Sequence, residues 1–127
     1  INKSISSFTI PLGATINMDG TAIMQGCATF FLASLYGLDL GMPEILTIVI
    51  TATIASIGTA GIPSAGIIML TVIFTQIGIP LEGITLLLGV DRLLDMMRTS
   101  INVSGDLCIS CIVANSENRI DETIFKS

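Results

Sequence analysis

The chain has 127 residues, 51% of them hydrophobic and only 12% charged, and a mean hydropathy of +0.87. Soluble domains carry about twice that charged share, so this composition predicts an apolar surrounding. The net charge of −5 excludes nucleic acid as a partner, and the absence of His excludes His-based catalysis and His metal sites.

The first element expected from the N-terminus is a broken helix over 1–36. Residues 7–36 form one apolar stretch, long enough for a bilayer core needing ~20 residues. Its centre is polar: Asn17, Met18, Asp19, Gly20 and Thr21 place an amide, a carboxylate, a glycine and a hydroxyl together. Gly20 and the short polar side chains favour an unwound turn there. Irregular backbone at membrane depth survives only beside a cavity or inside protein.

Gly37, Gly41 and Pro43 then predict a loop. Two apolar arms follow, 45–57 and 67–79, each too short to span alone. Between them, residues 58–66 hold three glycines, Pro63 and only small polar side chains. That composition suits backbone approaching a ligand; the two arms together make either one broken span or a re-entrant hairpin, and the segment 44–79 reads as the re-entrant helical hairpin.

The last helix is expected over 82–114. At about 100° per residue, Asp91, Asp95, Arg98, Asn102 and Asp106 fall within roughly 80° of arc, with Thr99 at its edge. Apolar or small residues fill most of the remaining surface. Asp19, Asp91, Asp95 and Asp106 outnumber Arg92 and Arg98. This negative surplus asks for bound cations or an ammonium group, and hard oxygen donors suit sodium. The planar fork of Arg98 suits a carboxylate. An Arg beside an Asp matches an amino acid that carries an extra carboxylate. Residues 115–127 are polar and read as a cytoplasmic tail.

The expected fold is therefore an all-α membrane protein: a broken transmembrane helix, a re-entrant hairpin and a final polar-striped transmembrane helix. Lys3, Arg119 and Lys126 near the ends, against acidic internal loops, place both ends of the fragment in the cytoplasm. The lipid bilayer is then a partner, and the expected location is the plasma or inner membrane, multi-pass. The chain reads as a C-terminal piece whose partner helices lie upstream. Cys108 and Cys111 have redox-pair spacing, but their apolar helical setting reads as packing.

Three motifs in order resemble the dicarboxylate/amino acid:cation symporters, the family of glutamate and aspartate transporters. They are Asn17 to Thr21, Ser56 to Gly66, and the set Asp91, Asp95 to Thr99 and Asn102 to Asp106. The resemblance covers residues 7 to about 118 and implies that 1–114 are the C-terminal part of a substrate-transport domain. It implies a carrier, not an enzyme, that couples acidic amino acid uptake to sodium by an elevator motion in homotrimers, with no cofactor beyond sodium. Thr21 and Arg98 would contact the substrate side-chain carboxylate. Asp95 and Thr99 would hold its ammonium. Asn102, with backbone at Gly61, Ile62 and Gly66, would hold its α-carboxylate.

For sodium, the resemblance implies three sites. Gly13, Asn17 and Asn102 carbonyls with Asp106 would form one. Thr15 with the Ser56, Ile57 and Thr59 carbonyls would form a second, and Asn17 and Asp19 would contribute to a third. The segment 45–79 would be the extracellular gate. Animal members carry a second arginine where this chain has Met96, which points to a prokaryotic type without potassium counter-transport. The alternatives are a dicarboxylate or neutral amino acid carrier of the same family, a passive anion pore in the same scaffold and, more distantly, an intramembrane aspartyl protease using Asp19 and Asp106. Val103 stands where the first glycine of the protease pattern would be.

Overall fold

The computed structural model describes residues 1–59 and 65–125. Helix α1 runs Lys3–Ile16 and α2 runs Asp19–Leu35. Asn2 starts α1, its Oδ1 accepting the Ser4 backbone N–H at 2.9 Å, which satisfies one of the free donors of the first turn. The break between the two helices is carried by Asn17 and Met18, both at negative φ. Gly20, which the composition placed in an unwound turn, lies in the first turn of α2 instead. It is glycine for a different reason: a Cβ there would sit 2.4 Å from the carbonyl oxygen of Arg98.

Helix α2 ends in a left-handed cap at Gly37 (φ 67). The Gly37 N–H returns to Ser34 O at 3.2 Å and the Leu38 N–H to Ala33 O at 2.8 Å, the paired bonds that close a helix through a glycine. Helix α3, Met42–Gly58, starts with Pro43 in its first turn, where the missing N–H is not needed. Helix α4, Ala65–Ile77, is closed by Gly78 (φ 82), with Ile79 N–H on Phe74 O at 3.0 Å. A 3₁₀ turn, Leu81–Gly83, leads to the short α5, Ile84–Leu88. Helix α6, Asp91–Ser116, is the longest at 26 residues. Asn118 (φ 53) turns the chain, and the Arg119 N–H returns to Ala114 O at 2.8 Å. The last element is α7, Glu122–Phe125.

The apolar core lies among α2, α3, α4 and α5. Leu32, Ile48, Leu70, Ile73 and Phe74 are all but fully buried, and Met24, Ala28, Ala52, Ile67 and Leu87 surround them. Helices α3 and α4 also join through Thr51 Oγ1, which donates to Gln76 Oε1 at 2.8 Å. Helix α6 packs on α1 and α2 together, so the polar stripe of α6 meets the Asn17–Met18 break.

The all-helical expectation stands, but the membrane-spanning part of it is corrected. Among the described residues no helix is long and apolar enough to cross a membrane. The break divides the first apolar stretch into helices of 14 and 17 residues. At 1.5 Å per residue, a 17-residue helix reaches about 26 Å, short of a ~30 Å hydrocarbon layer. Helix α3 also has 17 residues and α4 has 13. Helix α6 has the length, but Asp91, Arg92, Asp95, Arg98 and Asp106 interrupt its apolar character. The same finding overturns the broken transmembrane helix, the re-entrant hairpin and the final transmembrane helix as membrane elements. It equally overturns the multi-pass plasma or inner membrane location with both ends cytoplasmic.

Candidate functional site

Contacts along α1, α2 and α6 follow an antiparallel order. Thr9 meets Ser110, Gly13 and Asn17 meet Asp106, and Gly20 meets both Asn102 and Arg98. Each step of about four residues on one side is matched by about four on the other, one helical turn apiece. Small residues make this approach possible. A Cβ on Gly13 would fall 2.2 Å from Asp106 Oδ1, and one on Gly105 would fall 2.9 Å from Asn17 Nδ2.

At one end of this seam lies a charged cluster. Arg98 is 4% exposed. Its Nε donates to Asp95 Oδ1 at 2.9 Å, and its Nη2 lies 2.7 Å from the same oxygen and 3.6 Å from Asp91 Oδ1. Such charge-assisted bonds fix the guanidinium plane. Among the described residues its Nη1 has no hydrogen-bond partner, and it faces the Gly66 backbone so closely that a Cβ there would stand 2.8 Å away. Gln25, fully buried, donates Nε2 to Gly66 O at 3.3 Å, while its Oε1 has no partner among the described residues. Both N–H of the Nη1 group of a buried guanidinium are thus left for acceptors. The carboxylate of Asp95, 22% exposed, remains open to water.

The middle of the seam is held by Asn102. Its Oδ1 accepts the Gly20 backbone N–H at 2.8 Å, and its Nδ2 donates to Thr21 Oγ1 at 3.3 Å. Thr21 is buried. Further along, Asn17 Nδ2 donates to Asp106 Oδ1 at 2.9 Å, and Asp106 is buried. The carboxylate of Asp19 lies near Gly105, on an exposed residue. Among the described residues no group of three or more His, Cys, Asp and Glu side chains could hold a metal ion. Cation-binding oxygens at the break would have to include amides and carbonyls.

The structure therefore brings Gly66, Asp95 and Arg98 together, joins Thr21 with Asn102, and joins Gly13 and Asn17 with Asp106. Thr99 is exposed, and so is Thr15, whose hydroxyl donates to Leu12 O at 2.8 Å. Ser56 and Thr59 are buried at the end of α3 and turn their hydroxyls to Thr53 O and Ala55 O, while Ile57 is exposed. Gly61 and Ile62 lie outside the described residues. Cys108 is exposed and Cys111 half-buried, both as free thiols.

Gln25 was not among the residues expected at the site. Its signal lies in the spacing: Thr21, Gln25 and Thr29 recur every fourth residue of α2, and all are buried.

The chain matches the family model described as the sodium:dicarboxylate symporter family over residues 1–116. It is 51% identical over 106 residues to excitatory amino acid transporter 3 of Mus musculus and of Homo sapiens, covering 84% of this chain and 20% of each relative. Excitatory amino acid transporter 2 of Mus musculus is 52% identical over 106 residues, covering 84% of this chain and 18% of that protein. The chain thus spans about a fifth of the length of these relatives. With nearly its whole length inside one family match, the chain belongs to the sodium:dicarboxylate symporter family.

Proposed function

We propose that residues 1–114 form the binding part of a sodium-coupled symporter for acidic amino acids, aspartate or glutamate. The carrying observation is Arg98. A buried guanidinium, braced by Asp95 and Asp91, keeps its Nη1 amino group without a partner among the described residues, beside the Gly66 backbone. A substrate carboxylate would supply the missing acceptor, and leaving such a donor unsatisfied costs about 1–3 kcal/mol.

In this reading Thr21 and Arg98 take the side-chain carboxylate, and Asp95 with Thr99 takes the ammonium. Asn102 and the backbone of Gly61, Ile62 and Gly66 take the α-carboxylate. Sodium binds at Gly13, Asn17, Asn102 and Asp106, and at Thr15 with Ser56, Ile57 and Thr59. A third position uses Asn17 and Asp19. Sodium neutralises the acidic surplus, so substrate and cation favour each other's binding. An elevator displacement and a homotrimer belong to the whole protein. This reading has no catalytic step, and the protease alternative has no part in it.

The test is aspartate binding to the full-length protein, by calorimetry, with sodium or with a large organic cation. Binding that strengthens with sodium supports the reading, and equal affinity in both salts refutes the coupling. The second reading is a carrier of dicarboxylates that lack the ammonium, and the family's description favours including it. Succinate matching aspartate in competition would select it. The partly open Asp95 carboxylate favours an amino acid.

A further inference from the structure

Thr9 in α1 and Ser110 in α6 meet with their hydroxyl oxygens 2.7 Å apart. Ser110 is 1% exposed, and its Oγ stands 2.7 Å from the carbonyl oxygen of Asp106. The Thr9 hydroxyl also lies 3.1 Å from Ile5 O. Each hydroxyl owns a single proton. The two shorter contacts are satisfied together when Thr9 donates to Ser110 and Ser110 donates to the Asp106 carbonyl. A chain of hydroxyls then runs from α1 into the backbone of the carboxylate-bearing residue.

This pair occupies the rung next to the Gly13–Asp106 approach, one turn away on both helices. At that approach a Cβ on Gly13 would run into the Asp106 carboxylate, so glycine there leaves room for the carboxylate against α1. The Asn17 bond to Asp106 Oδ1 depends on the separation of α1 and α6. Neither Thr9 nor Ser110 has a role in the sites described above.

We infer that Thr9 and Ser110 are positioning residues for cation capture at Asp106. Their paired hydroxyls set the spacing of α1 and α6 and aim the Asp106 peptide, so that the oxygens around Asn17 and Asp106 converge on a small hard cation. The inference rests on the proposed sodium role of Asp106. Outer partners of ligands commonly govern affinity in this way.

The test uses the full-length protein with Thr9→Val, Ser110→Ala and Thr9→Ser. Sodium is titrated at fixed aspartate, and aspartate is titrated at saturating sodium. Thr9→Val and Ser110→Ala are expected to raise the half-saturating sodium concentration about tenfold. Aspartate affinity at saturating sodium stays unchanged, and Thr9→Ser restores the wild-type titration. The melting-temperature rise induced by sodium shrinks in the Val and Ala variants.

A melting temperature lowered equally at all sodium concentrations, with an unmoved sodium titration, assigns the pair to packing alone and overturns the inference. Loss of aspartate affinity at saturating sodium overturns it too, as does failure of Thr9→Ser to restore. Thr9 is only half-buried, so its substitutions remain readable if Ser110→Ala does not fold. A wild-type protein indifferent to sodium refutes the symport reading and this inference with it. A sodium-dependent wild type with unmoved variants refutes the inference alone.

Discussion

Arg98 combines burial, two carboxylate neighbours and an Nη1 amino group without a partner among the described residues. Replacing it by Cys removes the fork but leaves space beside Gly66. Arg98→Cys is expected to weaken aspartate binding by about 100-fold, the loss of two charge-assisted bonds, and to admit neutral amino acids. Competition binding with alanine and serine measures this, and unchanged aspartate affinity refutes the role. Gly20 is a packing problem of a different kind. A methyl at 2.4 Å from the Arg98 carbonyl has rigid backbone in its way, and overpacking of this sort costs about 1–3 kcal/mol. Gly20→Ala should lower the melting temperature of the full-length protein, whereas Gly26→Ala, where a Cβ meets open space, should not.

At the scale of elements, helix ends are set by local chemistry. Gly37 sits at φ 67 with nothing crowding its missing Cβ, so only the left-handed backbone demands glycine there. Gly37→Ala is expected to cost about 1 kcal/mol. Asn118→Gly, at φ 53, should be neutral or slightly stabilising. Thermal melts separate the two variants if the caps govern: Gly37→Ala lowers the melting temperature and Asn118→Gly does not.

The polar stripe of α6 was legible because helical spacing alone puts Asp91, Asp95, Arg98, Asn102 and Asp106 on one arc. The structure turns Asp91, Arg98 and Asp106 into the protein. The site of the first break was legible within a few residues from its Asn, Asp and Gly. The task of Gly20 was not, because its close neighbour Arg98 is distant in sequence and a single chain does not announce which helices cross. Sequence hydropathy also read 82–114 as one long helix. The structure interrupts it before Asp91 with a 3₁₀ turn, a one-turn helix and the Gly89–Val90 step. Apolar composition does not encode such backbone breaks. It likewise misled about membrane crossing, since it counts apolar residues without asking how long each unbroken helix is.

The whole molecule exposes 7841 Å². A compact monomer of 13.3 kDa would expose about 6,450 Å². Much of the surplus is apolar: Phe8, Ile54, Ile68, Leu93, Met96 and Met97 are each more than 60% exposed. An open apolar pocket of about 380 Å³ between α2 and α6, lined by Ile23, Phe31, Leu94, Met97 and Ile101, adds to it. Surfaces of this extent seek cover. Residues 1–127 expressed alone should therefore self-associate and bind hydrophobic dyes without a cooperative melt, as light scattering and dye fluorescence would show. A monodisperse, cooperatively melting product would contradict this.

The interruption after Ile16 has an electrostatic consequence. Peptide dipoles summed along α1 leave roughly half a negative charge at its C-terminal pole, and no basic side chain occupies its last turn. The Asp106 carboxylate is lodged against that pole through Gly13 and Asn17, so two like charges face each other at a repulsion of about 0.3–1 kcal/mol. The uncharged isostere Asp106→Asn should thus make the sodium-free protein melt higher and, under the proposed sodium role of Asp106, erase any further gain from sodium: the seam is built under a tension that a small cation bound there would relieve.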